Sequence, residues 1–295
     1  MVFPCCGLCN RIQVVACAKL LAADTGRELF VNWYPRHDCG AAYNDIFLPP
    51  ATALEELPEK VSCYSSVQRH PAVAPDRYAS LLGPQANERF AGIRNDDSPT
   101  LVIFSCHQFL GYFHDPRFAP TVREICLQVR PDITGIVREF RERWFAPVTI
   151  GVHIRRGDWR SQRNLDFYFD SMRQFSGARF FVSTDEPEIF AAVQQQFPTA
   201  VRYPVASLQR GDAQAVRDAM IDVLLLSSTA YLIGTPGSSF SAIAQTIGNI
   251  PGNFDYGYSM SKRDLKLGNL NKLGSVLWGR LRRRFGSRPK PLIRS

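Results

Sequence analysis

Long apolar runs are missing from this 295-residue chain. No stretch approaches the ~20 consecutive apolar residues that a spanning helix requires. The first residues, Met1-Val2-Phe3-Pro4-Cys5-Cys6, carry neither a basic region nor a following apolar one, so no secretory leader is expected and the chain is read as cytoplasmic. No cysteine follows Cys126: all eight (5, 6, 9, 17, 39, 63, 106 and 126) lie in the first half. In a chain of this size without a leader, reduced thiols are expected rather than disulfides. Cys6-Gly7-Leu8-Cys9 has the spacing of a metal or redox pair, but no further ligands stand at suitable distances. Small buried residues in a tight turn explain it better. An Asp-x-Asp pair, which could hold a divalent ion on a diphosphate, is also missing. With 45% hydrophobic and 21% charged residues, the composition is that of a globular protein, long enough for two domains with their own cores.

What is present is unevenly distributed. Residues 262–295 hold 11 Lys or Arg and one acid, a local charge of +10, so the net +8 of the whole leaves 8 − 10 = −2 for the rest. The basic balance therefore belongs to a tail, 259–295, in which Leu265, Leu267, Leu270, Leu273, Leu277, Trp278, Leu281 and Phe285 alternate with the charges. A basic amphipathic segment of this kind suits an anionic membrane surface. A solvated disordered tail and a nucleic-acid contact are the alternatives, the latter the weaker.

The rest is organised around Val148-Thr149-Ile150-Gly151-Val152-His153-Ile154-Arg155-Arg156-Gly157-Asp158. An apolar β-branched run ends abruptly in a histidine, two arginines and a Gly-Asp turn. A buried parallel strand reads this way where its carboxyl end opens into a ligand crevice. Adjacent guanidiniums repel, and a pyrophosphate would offset that cost while matching the planar fork of arginine. The alternative is a surface turn in which Arg155 and Arg156 pair with carboxylates such as Asp158.

Before this stretch, Val2–Cys5 predicts a strand stub, Ile12–Thr25 a helix closed by Gly26, and Glu28–Trp33 a second strand. Gly7-Leu8-Cys9-Asn10-Arg11 would then be a loop at a helix N-terminus, either an anion or substrate site or a plain tight turn. From Pro35 to Thr100 periodicity is poor, and loops with short helices are expected. Leu101–Ser105 is a clear strand. His107 lies just past its end among aromatic residues, as a sugar-acceptor contact or a structural histidine. Helices near Pro120–Gln128 and Ile133–Trp144 lead to a domain break at 147/148.

Beyond it, strands and helices alternate: Val148–Arg155, Phe167–Phe175, Arg179–Ser183, Glu188–Phe197, Val201–Tyr203, Ala213–Ser227, Tyr231–Gly234 and Phe240–Ile247. This pattern predicts βαβ units and a parallel sheet over 148–258. Asp185 ends a strand, and with Pro187 following, Asp185 or Glu186 could equally cap a helix. Asp222 interrupts the apolar run Ala219–Leu226, and a carboxylate buried there needs a partner. The donor edge of guanine is one such partner; Arg217 or Arg202 is the alternative. Gly234-Thr235-Pro236-Gly237-Ser238-Ser239-Phe240-Ser241 sets glycines and hydroxyls between a strand and a helix, a suitable cradle for phosphate.

The segment Gly151–Asp158 resembles the arginine motif of the GDP-fucose-dependent fucosyltransferase superfamily, which spans α1,2-, α1,6- and protein O-fucosyltransferases. Phe180–Pro187 is similar to the second motif of that group, and Ile221–Ser227 with Gly234–Ser241 to the third. Gly7–Arg11 is similar to its Gly-x-Gly-Asn-Arg/Gln loop, with Cys9 in place of the second glycine. The resemblance covers residues 1 to about 250 and is weakest between Asp38 and Thr100. It implies an α/β, glycosyltransferase B-like fold of two Rossmann-like domains facing across a cleft, 1–147 on the acceptor side and 148–258 on the donor side.

The resemblance further implies inverting transfer of L-fucose from GDP-β-L-fucose to a glycan hydroxyl, without metal or other cofactor. The catalytic residues expected are Arg155 and Arg156, which neutralise the leaving β-phosphate, and Asp158, which braces their loop. Donor contacts are expected from His153 near ribose or phosphate, Asp185, Asp222 on guanine, and Thr235, Ser238 and Ser239 on phosphate. Asn10 and Arg11 would face the cleft, and His107 would serve the acceptor. No general base is evident, because the glutamate that some relatives place after the arginine motif is missing. A glycan or lipid-linked glycan acceptor and a peripheral position on the inner face of a membrane fit the tail; no nucleic-acid partner is expected. Two rivals stand beside this reading: a nucleotide-binding protein that has lost catalysis, and a membrane or nucleic-acid adaptor acting through its tail.

Overall fold

The computed structural model describes residues 1–49, 60–66, 90, 92–156, 164–175 and 177–252. The chain forms two compact units, Met1–Thr134 with Val205–Met220, and Gly135–Pro204 with the chain from Ile221 onward. The expected break at 147/148 thus falls inside the second unit. Of the three divisions between these units, 134/135 and 220/221 fall inside helices and 204/205 falls between elements.

In the first unit, β1 (Val2–Pro4), β2 (Val61–Ser65) and β3 (Thr100–Ser105) form a parallel sheet in the order β1-β3-β2. Helix α1 (Leu8–Thr25) follows β1 directly, packs on it, and also meets α3 (Phe118–Leu127). Packing on both sides leaves α1 buried nearly all round, including Arg11 and Gln13. Its end is as the sequence predicts: Gly26 is left-handed at φ 64°, and its N–H returns to the Ala22 carbonyl. The core sets Phe3 on Phe104, ring centroids 4.5 Å apart, with Met1 and Val102 around them.

Two local expectations change. The Glu28–Trp33 strand reduces to one parallel bridge, Val2 to Val31. Val2 N–H donates to Phe30 O and Asn32 N–H to Val2 O, but the next donor along β1 would be Pro4, which has none. The second change is β2, in the stretch where loops were expected. Its residues Val-Ser-Cys-Tyr-Ser are half-buried at the sheet edge, so they lack a strong apolar alternation. Helix α2 (Tyr43–Ile46) is a single turn.

The second unit carries a parallel sheet in the order β6-β5-β4-β7, from β4 (Thr149–Ile154), β5 (Arg179–Thr184), β6 (Ala200–Val201) and β7 (Tyr231–Ile233). Between the strands run α5 (Leu165–Arg173), α6 (Pro187–Gln196) and α7 (Ala213–Ser227), and α8 (Ser239–Gly248) follows β7. Asn164 caps α5 by accepting from Phe167 N–H, and Pro187 starts α6 where a missing N–H costs nothing. One core layer joins Ile150, Val152 and Ile154 of β4 to Tyr168 and Met172 of α5. On the other face, Phe140 of α4 (Pro131–Trp144) meets Phe181 and Tyr203, each 5.8 Å away. Gly151 is the small residue of β4 for a steric reason: a Cβ there would lie 2.8 Å from Thr229 Oγ1 and 3.1 Å from Leu226. The expected strand Val201–Tyr203 closes at Val201, where only a short edge pairing with β5 forms.

Candidate functional site

In the second unit the chain runs from β4 outward to β5 and β6, then returns to the other side of β4 as β7. The order therefore reverses at β4, and ligands of open parallel sheets bind beyond the carboxyl ends at such a point. His153, Arg155 and Arg156 leave β4 there. Ser183 and Asp185 come from the end of β5, Thr235 from the end of β7, and Ser238, Ser239 and Ser241 from the start of α8.

Thr235 ties these ends together. Its hydroxyl donates to His153 O at 2.8 Å, and that single hydrogen fixes the remaining roles. Arg155 N–H must donate to it, at 3.0 Å, and so must the Tyr168 hydroxyl, at 2.9 Å. One donor and two acceptor positions exhaust a hydroxyl, and Thr235 is fully buried. Its expected place on phosphate is thus taken by protein groups: the side chain braces the arginine loop from within.

His153 is buried, with Nδ1 2.7 Å from Ser241 Oγ and its ring stacked on Phe240 at 4.7 Å. Ser241 Oγ also accepts from Thr235 N–H at 3.0 Å. Burial, with the Arg155 charge beside it, pushes the imidazole from the ordinary 6.5 down to about 3, so it is neutral. Arg156 is anchored by its backbone: its N–H donates to Asp185 Oδ1 at 3.2 Å. Asp185 therefore faces the arginine loop, while the α6 cap position belongs to Glu186, whose side chain makes no cap bond. Asp158 lies outside the described residues.

Asp222 is buried, and its Oδ2 accepts from the Ser183 hydroxyl at 2.7 Å. Both cations considered as its salt-bridge partners are occupied elsewhere. Arg217 donates to Asp132 and to Asp45 O, and the Arg202 guanidinium lies 5.0 Å over the Phe190 ring. Ser238 is 1% exposed at the N-cap of α8, and its hydroxyl has no hydrogen-bond partner among the described residues. A buried hydroxyl without a partner costs free energy, and here it stands beside helix N–H groups that favour an anion. Ser239 begins the same helix.

The first unit corrects one expectation. Asn10 and Arg11 belong to the first turn of α1, not to a loop. Arg11 is fully buried: it donates to Cys6 O at 2.8 Å and Tyr34 O at 2.7 Å, pairs with Asp38 at 3.3 Å, and lies over Trp33. These partners give the guanidinium an internal structural role. His107 is exposed just beyond β3, where the sequence places it. All eight cysteines are free. A hydrogen bond to Cys106 and burial push the Cys6 thiol far up, and Cys106, hydrogen-bonded to Cys5, rises to about 12. Thiols held protonated in this way are poor nucleophiles and poor metal ligands. Among the described residues no group of three or more His, Cys, Asp or Glu side chains is placed to hold a metal, and no helix is long and apolar enough to cross a membrane. The basic tail lies outside the described residues.

Ser183, Phe240 and Ser241 lie inside stretches that the sequence marked but carried no individual role there, and Tyr168 lay outside them. Tyr168 did carry one signal, a phenol between Phe167 and Phe169, whose hydroxyl must find a partner once buried.

No protein-family model and no curated protein matches the sequence. Solved structures do. The α1,6-fucosyltransferase NodZ, soaked with GDP-fucose, superposes with a TM-score of 0.62 at 19% identity over 83% of this chain and 91% of its own. NodZ from Bradyrhizobium gives 0.62 at 20% over the same shares. The fold is that of the fucosyltransferases. A mutant of FUT1 from Arabidopsis thaliana in complex with GDP matches at 0.57 and 15% identity, over 89% of this chain and 71% of its own. POFUT1 without ligand matches at 0.56 and 13%, over 86% and 96%. The expected α/β architecture of glycosyltransferase B type is thereby established, with a parallel sheet in each unit of the chain.

Proposed function

We propose that this chain is an inverting fucosyltransferase that takes GDP-β-L-fucose as donor and a glycan hydroxyl as acceptor. The observation that carries the proposal is the convergence at one sheet edge of the Arg155 loop, the Ser238 hydroxyl, which has no partner among the described residues, and the N-terminus of α8. Together they offer a cation, a hydroxyl and helix N–H groups to a diphosphate. The solved relatives that hold GDP or GDP-fucose add support to the donor.

In this mechanism the Arg155 guanidinium, assisted by Arg156, neutralises charge on the departing β-phosphate, so no metal is needed for that step. Asp185 fixes the Arg156 backbone. Ser238 and Ser239 hold phosphate oxygens. Asp222, oriented by Ser183, accepts from the two-pronged donor edge of guanine. His153 stays neutral beside ribose or phosphate, which avoids a third positive charge next to Arg155 and Arg156. The acceptor hydroxyl attacks the anomeric carbon from the face opposite the leaving GDP, whose bond to that carbon breaks, and the hydroxyl proton is lost to solvent. His107 is the candidate acceptor contact in the first unit.

Arg155→Lys keeps the charge but loses the bidentate fork, and transfer should fall by about 100-fold or more. The measurement is turnover of GDP-fucose beside calorimetric binding of GDP, with and without a chelator. Near-normal turnover in the variant would refute the role of Arg155. GDP binding in the wild type with neither transfer nor donor hydrolysis would instead identify a nucleotide-binding protein without catalysis.

A further inference from the structure

We infer that Thr235 and Tyr168 are positioning residues which set the Arg155 loop through one saturated hydroxyl. The argument is a count of protons. Thr235 has one hydroxyl hydrogen, and it goes to His153 O. Both lone-pair directions then receive donors, the Arg155 amide at 3.0 Å and the Tyr168 phenol at 2.9 Å. The node is dry, because Thr235 and Tyr168 are both fully buried. Reorientation of the hydroxyl would break a bond with no water available to replace it.

The geometry selects what is held. Thr235 grips both the last β4 carbonyl but one before the arginine pair and the amide of the first arginine, so it clamps the backbone where the strand gives way to the loop. Tyr168 approaches from α5, whose ring face is locked into the core against Ile150, Val152 and Ile154. Strand β4, strand β7 and helix α5 are thus joined at one atom, beside the residue whose guanidinium the proposed chemistry uses. The Thr235 amide engages Ser241 as well, so the start of α8 is tied to the same node. Site side chains need such support to keep their geometry within fractions of an ångström.

The catalytic readout rests on the proposed fucosyl transfer, while a second readout does not. Thr235→Val removes the hydroxyl, Thr235→Ser keeps it, and Tyr168→Phe removes only the phenol donor. Turnover of GDP-fucose should drop by about 30-fold in Thr235→Val, with KM for the donor changed by less than about threefold, as expected when a reacting group is displaced while ground-state binding of the donor is kept. Thr235→Ser should restore most of the loss, and Tyr168→Phe should fall between. In an Arg155→Lys background the valine should cost less than about threefold more, since the group it positions is already compromised. Independently of any donor, exchange of the Arg155 amide hydrogen, followed by NMR, should quicken by about tenfold in Thr235→Val and not in Thr235→Ser. If Thr235→Val does not fold, Thr235→Ala, which also removes the acceptor of the Arg155 amide, carries the same amide test. Equal damage by serine and valine, full multiplication with Arg155→Lys, or an unchanged amide would overturn the inference. A wild type that never transfers fucose would refute the functional reading alone, and the amide result would still decide the positioning role.

Discussion

Acidification should destabilise this protein in part through His153, the histidine whose folded-state value falls furthest. The imidazole is 5% exposed, stacked on Phe240, bonded to Ser241 and close to the Arg155 charge. Its folded-state value near 3, against 6.5 when unfolded, means that between those limits the unfolded chain binds one proton more. Stability is therefore unaffected above the unfolded value, falls as pH drops below 6.5, and levels off again near 3. The slope is about 1.4 kcal/mol per pH unit, so the step from pH 7 to pH 5 removes about 2 kcal/mol. Against a usual total of about 5–15 kcal/mol, that is a large fraction. The assay is urea denaturation by circular dichroism at both pH values, on the wild type and on His153→Asn, whose amide oxygen can still meet Ser241. Carboxylates titrate in both proteins and cancel in the comparison, so the wild type should lose about 2 kcal/mol more than the variant. Equal losses, or a folded-state NMR titration of His153 near its ordinary 6.5, would refute the reasoning.

Other perturbations test other parts of the structure. Gly40→Ala should lower stability by about 3 kcal/mol in thermal melts, because its Cβ would collide with Gly211 O, a backbone atom that cannot swing aside. Arg11→Lys should cost about 2–4 kcal/mol, since the partly buried carbonyls of Cys6 and Tyr34 lose donors and the Asp38 pair is weakened, yet GDP affinity should remain unchanged; a selective loss of affinity would return Arg11 to the ligand. Cutting the chain after Ser261 should abolish co-sedimentation with anionic vesicles, with each Lys or Arg near the surface worth ~1 kcal/mol, and should leave GDP binding intact. Equal loss of thermal stability and of vesicle binding would mark the tail as structural.

Much of the second unit could be read directly from the sequence because its signals are local. Helix α7 has the bounds Ala213–Ser227 that its periodicity predicts, and β4 and β5 differ from expectation by a residue or so at their ends. Hydrophobic period and length settle such elements without reference to distant residues. The edge strand β2 was hidden for the converse reason, since its serines and half-burial remove the alternation. The bridge at Val31 stopped short because of a proline on its partner strand, 27 residues away in the chain. The sequence also determined which residues gather at the site, because parallel topology brings the ends of β4, β5 and β7 to one edge. Tertiary structure decided what each of them does there. Thr235 and Ser238 look alike as hydroxyls in a glycine loop, yet one is saturated by partners 67 to 82 positions away and the other has none among the described residues. Arg11 resembled a ligand-facing arginine until the Cys6, Tyr34 and Asp38 groups closed around it. A hydrogen-bonding group is defined chemically by its residue, but whether it is spent or available depends on partners that only the fold supplies.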